Sequence, residues 1–363
     1  MPSRRRLIAA AALAAPLAAA RADGARTGPA AGTEGARVWR VAPGESLAAA
    51  LRQARDGDAV ELLAGTHRAQ AGVIEQARLV VRGVGGPVVL QADGAHAEGK
   101  ALLVVRRGDV RIEGLTFRGV RVRDGNGAGI RFEGGRLVLR DCGFFDNQMG
   151  LLSGNDGRAE LDIEGCRFGE APVVASDAGF THLLYAGRIG RLRLARSRFH
   201  GGRHGHLVKS RAAEHEVAGN WLGDATAGGG AASYELEFPN GGRARVQGNV
   251  LLQGPLSGNR ALLAFGAEGD DAGPRAHRLE LLGNSFANLG GDAGTAVRVH
   301  GDRLSSAVVA MARDNLYLGA LRVPAPFDDT AAGNLSAPLA AADVASGRFT
   351  LRGRRAPPGA EPD

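Results

Sequence analysis

Cysteine, methionine and aromatic residues are scarce in this 363-residue chain. It has 2 Cys, 3 Met, 2 Trp and 3 Tyr, and aromatics make up 5% of it. Two cysteines cannot build a disulfide scaffold, so the fold must rest on packing. So few aromatics argue against a sugar-binding surface of stacked rings. Beyond residues 7–20, no stretch approaches the ~20 apolar residues that span a bilayer. Helical periodicity is missing after residue 55, which excludes bundles and coiled coils. Glycine, in contrast, is abundant at 56 residues.

What fills the chain instead is a recurring phrase. A few aliphatic residues lead to Gly or Asp, then a small or polar residue, then an apolar or aromatic pair. It reads Ile112-Glu113-Gly114-Leu115-Thr116-Phe117, then Leu139-Arg140-Asp141-Cys142-Gly143-Phe144, then Ile163-Glu164-Gly165-Cys166-Arg167-Phe168. Later copies place their fourth residue at Ser197, Asn220, Asn249, Asn284 and Asn315. Runs too short for helices and punctuated by turns read as strands. A period of this size marks a solenoid, in which each rung buries its apolar face only against its neighbours. The four Asn should form an internal ladder. Cys142 and Cys166 should stack about 4.8 Å apart, and side chains in register point in parallel, which favours buried thiols over a bond.

The ends read differently. Arg4-Arg5-Arg6, the Ala/Leu run and Ala20-Arg21-Ala22 have the order of an export signal over residues 1–22. Ser3-Arg4-Arg5-Arg6-Leu7-Ile8 also resembles a twin-arginine signal. The mature protein is therefore expected in the periplasm or secreted, after a disordered linker over 23–36. Four arginines of the formal +7 charge lie in residues 1–22, which leaves 7 − 4 = +3. That mild surplus suits an acidic polymer and equally suits simple solubility. In residues 37–76, Ser46 is a plausible N-cap and Leu47, Ala50, Leu51 and Ala54 form one stripe. This segment resembles the N-terminal cap of right-handed parallel β-helices. Residues 77–322 should be the β-helix, with 257–277 a loop inserted in a rung and 323–363 a tail.

Chemistry concentrates between His182 and Asn240. Residues 181–185, 205–211 and 233–241 each lie 11 to 15 residues before a rung's anchor, so they are one strand in three successive coils. Aligning them puts Leu184, Val208 and Leu236 in one core column. Tyr185, Lys209 and Glu237 then share an outward column, and Leu183, Leu207 and Glu235 share another. Arg211 lies on the Lys209 face, and Arg298, one coil past the insertion, lands in or near the Tyr–Lys–Glu column. His182, His206 and Tyr234 share an inward or edge column, where a stacked His pair would support the wall. The plain alternative is a solvated face with Lys209–Glu237 as a surface ion pair. No standard metal spacing is met by His200, His204 and His206.

These segments resemble the pectate-lyase-like superfamily, and within it residues 205–220 and 234–249 are similar to polysaccharide lyase family six, the alginate lyases and chondroitinase B. Lys209-Ser210 matches that family's Lys-Ser pair, and Val246-Gln247-Gly248-Asn249 its Val-x-Gly-Asn. Two departures stand out. Glu235 and Glu237 occupy the rung where the family places its catalytic Arg. His204-Gly205-His206 stands where the family holds Ca²⁺ with acidic residues, so a divalent cation lacks its usual ligand motif.

The resemblance implies β-elimination on a uronic acid polymer. That reaction needs a base for the proton α to the carboxylate and a cation for the charge that develops. Either Lys209 is the base, or Tyr185 or His182 is, with Lys209 and Arg211 holding the carboxylate. Glu237 would then bind a cation or a sugar hydroxyl, and His182, His206, Glu235 and Arg298 would line the substrate. Two other functions remain open: a glycoside hydrolase using Glu235 and Glu237, and a non-catalytic glycan-binding protein. The expected partner is an acidic polysaccharide, with no nucleic acid, no membrane insertion and a monomeric chain.

Overall fold

The computed structural model describes residues 36–173, 181–223, 231–270, 275–290 and 292–339. The export signal expected over 1–22 lies outside them, as does the linker over 23–36 apart from Ala36. The described chain is an all-β parallel solenoid. It contains one α-helix, Leu47–Gln53, and one 3₁₀ turn, Gly301–Arg303.

Three parallel ladders run along it. The first begins at Val38–Val41 and reaches Val308–Arg313. The second runs through Leu115–Arg118, Gly143–Phe145 and Arg167–Gly169 to Leu335–Ala337. The third has ten strands, from Gly72–Ile74 to Leu321–Arg322.

The recurring phrase is the corner between the first two ladders. Its third residue takes a left-handed backbone in every copy: Gly114, Asp141, Gly165, Arg196, Gly219, Gly248, Gly283 and Asp314, with φ between 45° and 67°. Glycine adopts that region freely and Asp at modest cost, which is why they dominate the position. Arg196 is the copy that departs from the rule.

A left-handed corner takes the next residue's N–H out of the strand ladder, and a buried donor must find another acceptor. The fourth residue of the following rung supplies it. Cys142 N–H meets Cys166 Sγ at 3.4 Å, and Cys166 N–H donates to Ser197 Oγ at 3.1 Å. Ser197 N–H donates to Asn220 Oδ1, and Asn220, Asn249, Asn284 and Asn315 each donate to the next amide oxygen at 2.9–3.0 Å. Both thiols are free and buried, as expected for stacked cysteines. Two residues on, Phe117, Phe144, Phe168 and Phe199 stack with centroids 4.5–5.1 Å apart. Each such ring, fully buried, contributes roughly 1.5–3 kcal/mol.

The helix has Ser46 as its N-cap, with the side chain accepting from Ala49 N–H, and it buries Leu47, Ala50 and Leu51. Two expectations change. Residues 257–277 are not one inserted loop, because Ala261–Phe265 is a fully buried strand of the third ladder, paired with Leu236–Phe238 and with Gly294–Val299. Its run of five apolar residues lacks the alternation of a half-exposed strand. The solenoid also continues past residue 322. Leu335–Ala337 joins the second ladder, and Asn334 extends the Asn ladder after a step of only 19 residues.

Candidate active site

The site is built on Leu184–Ala186, Val208–Ser210 and Leu236–Phe238 of the third ladder. Their register pairs Leu184 with Val208 and Val208 with Leu236, all three buried in the core. The same register stacks Tyr185, Lys209 and Glu237 in one column, as the sequence alignment predicts. Arg298 belongs to that column but lies two rungs past Glu237, with Ala264 between them. It lines a separate cavity of about 580 Å³ with Val297, Arg322 and Phe327.

One expected outward column is buried instead. Leu183 and Leu207 join the hydrophobic core, and Glu235 is buried. These residues lie in bends just before their strands, where the alternation of an extended chain has not begun.

The histidines form the wall beside the column. His182 and His206 rings lie 4.8 Å apart, and His206 and Tyr234 rings 4.9 Å apart. His182 Nδ1 accepts His206 N–H at 2.9 Å, and His206 Nδ1 accepts Tyr234 N–H at 3.2 Å. A backbone N–H can only donate, so the ring proton of each imidazole sits on Nε2. Burial, with the adjacent His206 ring and the nearby charges of Lys209 and Arg211, pushes His182 well below the ordinary histidine range. His182 is therefore a neutral Nε2–H imidazole with no open lone pair on Nδ1. Its ring stacks on Tyr185 at 5.5 Å. Of the other two, His204 is exposed and His200 lies against Phe145, so the four do not converge.

Glu237 is the buried anion. Its Oε2 lies 2.9 Å from His206 Nε2 and 3.3 Å from Lys209 Nζ, close contacts that lack hydrogen-bond alignment. Burial alone would raise its carboxyl, but His206 and Lys209 outweigh that and hold it below the usual range.

Arg211 joins the column from just past its strand. Its Nε donates to Tyr185 Oη at 2.7 Å, and Nη1 to Asn240 Oδ1 at 2.8 Å. A guanidinium donor on a phenol oxygen stabilises negative charge there.

Two members escape sequence reasoning: Asn240, which positions Arg211, and Glu268. One Glu268 oxygen accepts from Lys209 Nζ at 2.7 Å and the other from Arg211 Nη2. Burial works to raise Glu268, and the two cations overcome it and lower its carboxyl. Recognising Ala261–Phe265 as a rung would have brought Glu268, three residues past that strand, beside Pro239 and Asn240 on the Arg211 side of the site.

The Ca²⁺ set implied by the resemblance is not matched. A hard cation of that kind takes six to eight oxygens, and here the Glu237 carboxylate is already engaged by an imidazole and an ammonium. Among the described residues, no three His, Cys, Asp and Glu side chains are placed to hold one metal ion.

No family model matches the chain. No curated protein matches it. Among solved structures it is similar to ORF18 of Geobacillus virus E2, with 13% identity and a TM-score of 0.40 over 74% of this chain and 50% of that one. It is similar also to a mutant of the PL6 family alginate lyase AlyGC, with 15% identity and a TM-score of 0.36 over 84% of this chain and 53% of that one, so it spans about half the length of each.

Proposed function

We propose that this protein is an exported carbohydrate-active β-helix protein that cleaves an anionic, uronic acid glycan by β-elimination. One observation carries the reading. Tyr185 Oη, Lys209 Nζ and the Arg211 guanidinium meet on one outward column, with Arg211 bonded directly to the phenol. In the proposed reaction Lys209 and Arg211 hold the uronate carboxylate and neutralise the charge that spreads onto it. Tyr185, as phenolate steadied by Arg211, takes the proton from the carbon α to that carboxylate. The C–H electrons become the new double bond as the neighbouring C–O bond breaks. The departing glycosidic oxygen recovers a proton from the Tyr185 phenol. Lys209, set between the Glu237 and Glu268 carboxylates, suits anion holding better than proton abstraction. His182 is a weaker base candidate, because its Nδ1 is occupied.

The rungs are proposed to wind right-handedly, with the helix Leu47–Gln53 closing the N-terminal end. Export through residues 1–22 would deliver a monomer to the periplasm or beyond. A hydrolase reading loses support, because Glu235 is buried in a bend and Glu237 is engaged by His206 and Lys209.

The test is incubation with alginate, polygalacturonate, hyaluronan and chondroitin while following ultraviolet absorbance of an unsaturated product. A rise that Lys209→Ala abolishes supports the lyase. New reducing ends without absorbance indicate hydrolysis, and neither signal on any acidic glycan sinks the reading.

A further inference from the structure

Glu268 holds a position that nothing in the proposed reaction requires. Its carboxylate spans two cations of the site, one oxygen on Lys209 Nζ and the other on Arg211 Nη2. With Glu268 in place the Lys209 and Arg211 side chains are 12% and 14% exposed, while Glu268 itself is 40% exposed. The acid therefore sits over the cations, on their solvent side.

The backbone beneath it is pinned. Gly266 N–H donates to Phe238 O at 2.9 Å and Glu268 N–H to Pro239 O at 2.9 Å. Asn240 Nδ2 donates to Gly269 O at 2.5 Å, and Arg303 Nη1 to Ala267 O at 2.6 Å. Only the side chain of Glu268 is left to turn, and a change of rotamer moves its carboxylate off both cations. Arg211 does not depend on Glu268 for its place, since Tyr185 and Asn240 hold it independently. Lys209 keeps Glu237. The charges of Lys209, Arg211, Glu237 and Glu268 cancel with Glu268 in contact, and without it the other three leave one net positive charge.

We propose that Lys209 and Arg211 form a carboxylate-binding subsite, and that Glu268 fills it with its own carboxylate until the carboxylate of an acidic sugar displaces it. The identity of the displacing group rests on the lyase reading; the subsite and its internal occupant rest on the contacts above. Glu268 is thus a built-in competitor that sets how much uronate the site needs. A partly exposed ion pair is weak enough to exchange. A subsite occupied from within about nine-tenths of the time binds its ligand ~tenfold more weakly than an open one.

The experiment titrates the full chain and its Glu268→Gln variant at low salt with tetrasaccharides from alginate and polygalacturonate, with maltotetraose, and with acetate followed by ligand-observed NMR. The expected result is acidic tetrasaccharides bound on the order of tenfold more tightly by Glu268→Gln, maltotetraose unchanged, and Glu268→Asp between the two. Equal or weaker uronate binding by Glu268→Gln overturns the inference and leaves the lyase reading standing. Uronates ignored by both proteins, with acetate taken up better by Glu268→Gln, upholds the subsite and sinks the uronate reading. Neither uronate nor acetate bound by the variant overturns the subsite itself.

Discussion

On the first ladder, outward columns read Glu160, Arg191, Glu214, Arg243 and Asp162, Arg193, Glu216, Arg245. On the third, the outward column reads Tyr185, Lys209, Glu237. The same in-register stacking produces both. On the first face it sets acid beside base rung after rung, and the pair Arg191–Glu216 stays wet, 49% and 43% exposed. On the third face Glu268, in the segment after Phe265, lies on Lys209, and His206 and Lys209 flank Glu237, with Lys209 12% and Glu237 4% exposed. Charge in water is cheap to hold and contributes little when paired. Charge out of water is costly and persists only when paired. Exposure, set by what covers the ladder, separates a decorated wall from a candidate site.

The contrast is broken most sharply at Tyr185. Tyr185→Phe removes the oxygen that Arg211 contacts and little else. Loss of a general base costs about a hundred- to ten-thousandfold in kcat. The corresponding change on the first face, Arg191→Gln, should leave kcat unchanged. Measured turnover of an acidic glycan decides it, with circular dichroism showing both variants folded. Comparable rates for Tyr185→Phe and wild type would place the chemistry elsewhere.

Stability should split the faces in the same sense. Glu237→Ala takes the buried carboxylate from His206 and leaves Lys209 only the more exposed Glu268, so the loss should fall at the low end of the cost of breaking a buried pair, about 3 kcal/mol. Urea unfolding measures this, and a loss below about 1 kcal/mol would mean that Glu237 behaves like a surface acid.

Acid titration probes the ground beneath each face. His215 lies in the core under the first face, its ring 4.2 Å from Phe238, with both ring nitrogens lacking hydrogen-bond partners. Burial pushes it down from 6.5 to about 3. His182, beside the third face, is also held well below 6.5 by burial. In that window the unfolded chain takes up protons that the folded chain refuses. Stability therefore falls as pH drops below 6.5, by on the order of 1.4 kcal/mol per pH unit for each such histidine. Glu237, whose folded carboxyl is depressed, adds its own loss only as pH falls below 4.5. His215→Leu should remove about one proton's slope between pH 6.5 and 4.5, read from urea midpoints across that range. An unchanged slope would mean that His215 titrates normally.

The solenoid was legible because its constraint is local and repeated. A left-handed corner wants Gly or Asp, and the N–H it frees wants a side-chain acceptor, so the Asn column and its spacing are written into the chain. Tyr185, Lys209 and Glu237 follow from that ruler plus the alternation of strands. Alternation fails at Leu183, Leu207 and Glu235, where the backbone is bent, and no residue type marks that bend. Glu268 was hidden for a different reason. Its contacts span 57 and 59 residues of sequence, and it follows a strand whose uniformly apolar run has no two-residue period. Asn334 was missed because its step of 19 residues falls below the range of the other anchors.

The smallest effect is expected on the first face itself. Glu216→Ala removes the Arg191 contact at 2.9 Å and a looser one to Arg193 at 4.0 Å. Arg193 keeps Asp162 at 2.9 Å and Glu164 at 3.0 Å, so one of the two cations is never left alone. Arg191 is half exposed and regains water. An exposed pair of this kind is worth ~0–1 kcal/mol and is screened by salt. Glu216→Ala should therefore shift the unfolding free energy by less than about 1 kcal/mol, and high salt should erase the difference. A loss that matches Glu237→Ala and survives high salt would show that the alternating columns act as one cooperative network, and exposure would no longer separate the two faces.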